Sequence, residues 1–292
     1  MGYLHINNLY KDQRILKFIK IWALEKVHGT SVHIKFNLET GVLTFFSGGE
    51  SYNNFIKLFD ADGLKEKLAA LFTERKGEVV VYGEAYGGKQ QKMAHTYGDK
   101  LCFIAFDVAV NEKWLNVPEA DALVKQLGLE FVPYKLIGNT MEEIDAERNK
   151  PSEVAVRRGI AESKVKEGIV LRPEEEAVDE FGDRIIAKHK NAEFSETKTV
   201  KPVDNAKLEV LEKAKAIATE WVTMERLRHV LDKLPEVKEM KHVPMVNKAM
   251  IEDIYREAKG EIVESKEAEK EISVLTAKMF KQHLNDSLKN PQ

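Results

Sequence analysis

The chain is nearly devoid of cysteine: Cys102 is the only one among 292 residues. A single thiol excludes an intrachain disulfide and any zinc site built on cysteine. Within L-C-F-I-A-F it reads as a small buried core residue. Long apolar runs are lacking too. None approaches the ~20 residues that cross a bilayer, and no basic-then-apolar leader precedes the first strand-like run. A mature N-terminus, no membrane partner and a cytoplasmic location are therefore expected, a bacterial or phage-infected cytosol included. Neither sign of charge dominates, since 45 Lys+Arg against 48 Asp+Glu leave a formal net charge of −3. A polyanionic partner would have to be held by a local basic patch. His5, His33, His95, His229, His242 and His283 show no metal-ligand spacing, and no P-loop signature follows Gly87-Gly88. What remains is an ordinary globular composition, 43% hydrophobic and 32% charged, long enough for one large domain or two with separate cores.

Up to about residue 195 short strand-like runs alternate with turn signals. The runs lie at 22–28, 31–37, 42–46, 78–85, 101–109, 130–136, 168–172 and 184–190. Between them stand E-T-G (39–41), S-G-G (47–49), Y-G-G (86–88) and E-F-G-D (180–183), all turn-forming. Helical periodicity interrupts at 60–75 through Leu64, Leu68, Leu71 and Phe72, and at 118–127 behind Pro118. Strands in hairpin-like pairs predict an α+β fold with a mainly antiparallel sheet. Residues 196–205 read as a polar linker, which bounds a first domain at 1–195. From 206 to 292 glycine almost vanishes and a small helical domain is expected. Its predicted apolar stripes are Leu208, Leu211, Ala214, Ile217, Ala218 and Trp221, then Val274, Ala277, Phe280 and Leu284.

The segment I-W-A-L-E-K-V-H-G, residues 21–29, is anomalous. It reads as a strand, yet it carries an amine and an imidazole. Alternation puts Leu24, Lys26 and His28 on one face and Val27 on the other. A lysine on a core face bears a heavy desolvation cost without a partner, while Gly29 permits close approach of a backbone or a ligand. Such a lysine is either a nucleophile in a cation-rich pocket or a strand-end side chain snorkelling to solvent. The anomaly recurs in four further strands. Glu84 ends V-V-V-Y-G-E, Asp107 follows Phe106 in F-I-A-F-D, Glu167 opens K-E-G-I-V-L-R-P with Arg172 at its end, and Lys188 and Lys190 share a face in A-K-H-K. Lysines and carboxylates from five strands suit a pocket for a polyanion with a divalent metal.

As an ordered set these segments resemble the motifs of the covalent nucleotidyltransferases, the polynucleotide ligases and capping enzymes. E-K-V-H-G is similar to their nucleophile motif, Y-G-E to the third, A-F-D to the next, K-E-G-I-V-L-R-P to the fourth and A-K-H-K to the fifth. Within that superfamily the sequence most resembles the phage-type, nick-sealing RNA ligases, the second RNA ligase family. Histidine stands at the third position of the nucleophile motif (His28), G-E-A-Y-G-G-K-Q-Q-K-M resembles their glycine- and glutamine-containing turn, and the C-terminal part is helical.

The resemblance implies an ATP-dependent ligase acting on RNA ends, nicked or single-stranded, with magnesium or manganese. Lys26 would attack the α-phosphate of ATP to form lysyl-AMP. Lys188 and Lys190 would bind the phosphate, and Glu167 would lie near the metal. AMP would then pass to a 5′-phosphate end, which a 3′-hydroxyl attacks. Phe106 would stack on adenine, Glu84 bind ribose, Glu25 read the adenine amino group and His28 assist the later steps. Asp107 and Arg172 are candidates for the substrate phosphate. One departure stands out: relatives carry arginine-x-glycine after the first hairpin, whereas here Ser47 falls about where the arginine would be, in T-F-F-S-G-G-E-S. No Arg or Lys lies between Lys35 and Lys57. The backbone of the Ser47–Gly49 turn is the expected substitute, as an anion nest. Two alternatives stay open, a ligase preferring DNA or hybrid ends and a catalytically inactive nucleic-acid-binding relative.

Overall fold

The computed structural model describes residues 2–73, 76–160, 163–179, 182–194 and 205–289. Nearly all of the expected linker, and Glu180 and Phe181 of the expected turn, lie outside them. The chain divides into two compact units, Met1–Val203 and Asp204–Gln292.

In the first unit the fold is α+β. Among the described residues ten strands run in chain order as β1 (Asn7–Asn8), β2 (Lys20–Lys26), β3 (Thr30–Asn37), β4 (Leu43–Phe46), β5 (Glu78–Tyr86), β6 (Cys102–Val110), β7 (Lys113–Trp114), β8 (Tyr134–Gly138), β9 (Gly168–Pro173) and β10 (Ala187–Lys190). They form two five-stranded sheets, β1-β10-β9-β2-β8 and β4-β3-β5-β6-β7. Every pair is antiparallel except β1 with β10. The helices are α1 (Tyr52–Ile56), α2 (Ala61–Leu71), α3 (Ala94–Tyr97), α4 (Val117–Gln126), α5 (Met141–Arg148) and α6 (Glu153–Arg157). The predicted helix at 60–75 stops at Leu71, and the predicted strand at 130–136 becomes a single bridge at Phe131 followed by β8.

Period-two alternation gives each sheet a dry face and a polar face. On the first sheet Ile21, Ala23, Ile169, Leu171 and Ala187 pack with Ile144 of α5. On the second, Val32, Ile34, Phe36, Val79, Val81 and Val108 pack with Leu64 and Leu68 of α2 and with Val124 of α4. Residues one step along the strands, Leu24, Lys26, Val170, Arg172 and Lys188 from one sheet and Ser31, Glu84 and Phe106 from the other, line a common cavity. Cys102 is partly buried against the second core.

A buried ionic clamp joins the sheets. Asp107 of β6 is 0% exposed and Arg172 of β9 1%. Asp107 Oδ1 accepts from the Arg172 guanidinium at 3.0 Å, while its Oδ2 accepts from Tyr3 at 2.6 Å and from Arg184 at 2.5 Å. Glu176 pairs with both arginines at 2.5 Å, and the Arg184 guanidinium stacks 4.2 Å from the Trp114 ring centre. Burial, then the Asp107 charge, pushes the Tyr3 phenol well above its ordinary range.

The second unit contains α7 (Asn205–Trp221), α8 (Met224–Asp232), α9 (Val243–Glu257) and α10 (Lys266–Lys289). Ala214 and Ala218 of the first predicted stripe are buried. The second stripe holds in part: Phe280 is buried as expected, but Val274 is 58% exposed, and Ala268, Ile272 and Leu275 are buried beside it. Asp253 draws the helices together, its carboxylate within 2.8 Å of Arg226 and 3.3 Å of Lys233.

Removing one partner of a buried ion network leaves its counter-charges unsolvated and unpaired, at a cost of about 3–5 kcal/mol. Asp107→Ala should therefore lower the urea-unfolding stability of the first unit by about that much, whereas Tyr3→Phe should cost about 1 kcal/mol. Equal midpoints for the wild type and D107A would contradict the clamp.

Candidate active site

Register assembles the site. Lys26 of β2 and Lys190 of β10 both sit opposite Gly168 of β9, one on either side. A Cβ at Gly168 would lie 2.3 Å from the His189 carbonyl oxygen, so only glycine lets these strands approach as they do. Glu167, immediately before Gly168, then reaches both lysines. Its Oε2 is 3.0 Å from Lys26 Nζ and 3.2 Å from His28 Nδ1, and its Oε1 is 3.0 Å from Lys190 Nζ. Burial alone would raise this carboxyl, but His28, Lys26 and Lys190 outweigh it and hold it down at about 2.

His28 and Gly29 fall just beyond β2, in its connection to β3. The reason for the glycine is β5: a Cβ there would lie 2.2 Å from the Ala85 carbonyl oxygen. Its amide donates to Glu84 Oε1 at 3.0 Å. Burial lifts Glu84 to about 7, against the opposing pull of Lys26.

The cavity, of about 260 Å³, is lined by Lys26, Lys188, Glu84, Phe106, Leu24 and Val170 among others. Its size lies near the lower end for small-molecule sites, and an aromatic ring, a carboxylate and two amines around one space fit a nucleotide. Tyr3, Leu4, His5 and Ile6 also line it. Sequence reasoning missed them, because β1 has only two residues and pairs with a strand some 180 positions away.

The structure therefore brings together Lys26, His28, Glu167 and Lys190 as one cluster, with Glu84, Phe106 and Lys188 around the adjoining cavity. Other expectations need correction. Glu25 borders the cavity, but alternation turns its carboxylate to the opposite face, where it accepts from Ser152 Oγ at 2.5 Å and from the Glu153 amide at 2.9 Å. It fastens the start of α6 and is not directed at an adenine. Ser152 before Glu153 is a readable helix-start signal that the sequence analysis did not use. Asp107 and Arg172, expected on the substrate phosphate, neutralise each other in the clamp. The Ser47–Gly49 turn is not an open anion nest. The Gly49 amide donates to Thr30 Oγ1 at 3.0 Å and the Glu50 amide to Ser47 O at 2.9 Å. Beside them, despite partial desolvation, hydrogen bonds from Ser51, Asn54 and Gln90 hold the Glu50 carboxyl below its ordinary value.

Glu167 is likewise a poor fit as a resident metal ligand, since both oxygens already face amines or an imidazole. Among the described residues no group of three His, Cys, Asp or Glu side chains is placed to hold a metal ion.

The Glu84 shift has a checkable sign. A carboxyl raised from 4.5 to about 7 keeps its proton in the folded state after the unfolded chain has lost it. Stability therefore falls as pH rises through that window, by about 1.4 kcal/mol per unit. Glu167, whose contribution is lost only as pH falls from 4.5 towards about 2, is silent there. The stability difference of Glu84→Gln relative to the wild type should rise by about 2–3 kcal/mol between pH 5 and pH 8. Urea titrations at the two pH values measure it, and a constant difference would contradict the burial of this carboxyl.

A family model described as RNA ligase matches residues 19–190. No curated protein matches the sequence significantly. Among solved structures, an RNA ligase of Naegleria gruberi in a variant form with ATP and manganese is similar at a TM-score of 0.50 and 19% identity, over 66% of this chain and 57% of that one. A second variant, also with ATP and manganese, gives 0.50 and 18% over 68% and 59%. The same ligase with pyrophosphate gives 0.49 and 18% over 66% and 57%. The chain thus spans a little under three-fifths of the length of the ligase structures it matches, and at these identities the likeness speaks for the fold. With the family match covering more than half of its residues, the chain belongs to the RNA ligase family.

Proposed function

We propose that this protein is an ATP-dependent RNA ligase of the phage type, joining 5′-phosphate and 3′-hydroxyl ends in RNA repair. The observation that carries the reading is Lys26. Its amine stands at the rim of a nucleotide-sized cavity, paired with a carboxylate that also holds Lys190 and His28. In the first step Lys26 Nζ, as the neutral amine, bonds to the α-phosphorus of ATP. The bond from that phosphorus to the bridging oxygen breaks, pyrophosphate leaves, and the nitrogen gives up one proton to solvent. In the second, the 5′-phosphate oxygen of an RNA end takes the adenylyl group and frees Lys26. In the third, a 3′-hydroxyl attacks that 5′-phosphorus, gives up its proton and expels AMP.

Phosphoryl transfer asks a protein for positioning and charge compensation above all. Lys188 and Lys190, on one face of β10, are the charge-compensating groups, and Phe106 and Glu84 receive the base and the ribose. Glu167, held at about 2 by the cations around it, is ionised at neutral pH. It acts as an internal anion that spaces the cations until phosphate oxygens take over. Magnesium or manganese enters as the complex with ATP, carried on the phosphates, and supplies additional charge neutralisation there.

The test separates the steps. With ATP, the wild type should join a 5′-phosphate RNA strand to a 3′-hydroxyl acceptor, nicked or single-stranded. Lys26→Ala should lose that joining by roughly 1,000-fold or more yet still seal a pre-adenylylated RNA without ATP. A wild type that joins neither substrate, or a K26A variant as active as the wild type with ATP, would overturn the reading. DNA ends run in parallel decide the alternative substrate preference.

A further inference from the structure

The polar face of the second sheet does not end at the cavity. Ser31 and Glu84, paired across β3 and β5, border the cavity. Two residues further along both strands, on the same face, His33 sits opposite Tyr82 on one side and Phe46 of β4 on the other. Three rings therefore lie in one row across three strands. Phe46 stacks on His33 with centroids 4.8 Å apart and planes 17° from parallel, and His33 meets Tyr82 at 5.4 Å. The row runs on towards the nucleotide site. Tyr82 packs against Tyr3 at 5.1 Å, and Tyr3 against Phe106 at 4.9 Å. Tyr3 and Phe106 both line the cavity.

The exposure along the row is uneven. His33 is 8% exposed, whereas Phe46 is 46% exposed. In T-F-F-S the neighbouring Phe45 packs into the core and Phe46 takes the outward face, where a polar residue would meet the needs of the fold as well. The turn that follows packs over β3 beside the cavity, with Gly49 bonded to Thr30. Its own charged group is Glu50, and no Arg or Lys occurs from 36 to 56. The cations near this margin, Lys35 and Lys89, face the carboxylates of Glu78 and Glu50, and the open ring of Phe46 suits a base better than a phosphate.

We propose that Phe46, seated on His33 and continued by Tyr82, is a stacking platform for an unpaired nucleobase at the end of the polynucleotide substrate. An unpaired base presents a free face, and aromatic side chains hold it with little regard to sequence. The proposal rests on the ligase reading and adds to it how the end is gripped.

The test uses the full-length protein and fluorescence anisotropy with a labelled 5′-phosphate single-stranded RNA, the same strand made abasic at its 5′-terminal positions, and a DNA strand of the same sequence. Phe46→Ala and Phe46→Leu should weaken binding of the intact RNA roughly 5- to 100-fold, and Phe46→Trp should restore it. The abasic strand should bind the wild type as poorly as the intact strand binds F46A. An equal loss on the DNA strand identifies the base as what is recognised, whereas a loss confined to RNA would contradict base stacking. Lysyl-AMP formation from ATP should stay at the wild-type level in all three variants. Unchanged RNA binding by F46A with normal lysyl-AMP formation, or equal losses on intact and abasic strands, would overturn the platform. A wild type that forms no lysyl-AMP would instead strike the underlying ligase reading.

Discussion

The site depends on one buried carboxylate and the cations around it. Glu167 would be costly to bury alone, as would the two lysines. Together they are satisfied, with Lys26 and His28 on one oxygen and Lys190 on the other. The arrangement is possible only because three strands converge on Gly168, which has no side chain to keep β10 away. Two lysines and the anion between them thus come from segments distant in sequence, and on the proposed reading one lysine is the nucleophile and the other binds phosphate. On the proposed reading, an incoming phosphate replaces the carboxylate as the partner of the same amines.

Around that cluster the architecture follows from period-two alternation. Each sheet turns its apolar residues to helices and its polar residues to the other sheet. The cavity is what remains between the polar faces. The Asp107–Arg172–Arg184 clamp keeps those faces in register with one another. It also explains why strongly charged residues stand in β6 and β9 without touching the cluster: they hold the walls.

Much of this was legible from residues alone. Alternation put Leu24 and Lys26 on one face, and both line the cavity. Val27, expected on the other face, lies beyond the end of β2 and packs in the same core as Leu24. The recurrence of charges in apolar strands pointed to one pocket. The same rule, carried one residue back, would have turned Glu25 away from the cavity. What it could not give was the partner of a charge. Asp107 and Arg172 look like site residues in sequence because burial and ion pairing are long-range facts, set by strands 65 positions apart. Short helices such as α1, α3 and α6 left no periodic signal to find. The Tyr3–Ile6 wall depends on a two-residue parallel pairing. The second stripe of the helical unit was right at Phe280 and wrong at Val274: its apolar residues are spread so evenly that alternative faces fit, and packing chose Ile272 and Leu275.

The central claim is that Lys26 becomes covalently bound to AMP. Intact-protein mass spectrometry after incubation with ATP and magnesium, followed by peptide mapping, tests it most directly. The account predicts an added AMP on Lys26 that requires ATP, is not formed with GTP and is reversed by pyrophosphate. No adduct from protein first stripped of bound nucleotide, or an adduct on a different residue, would contradict it.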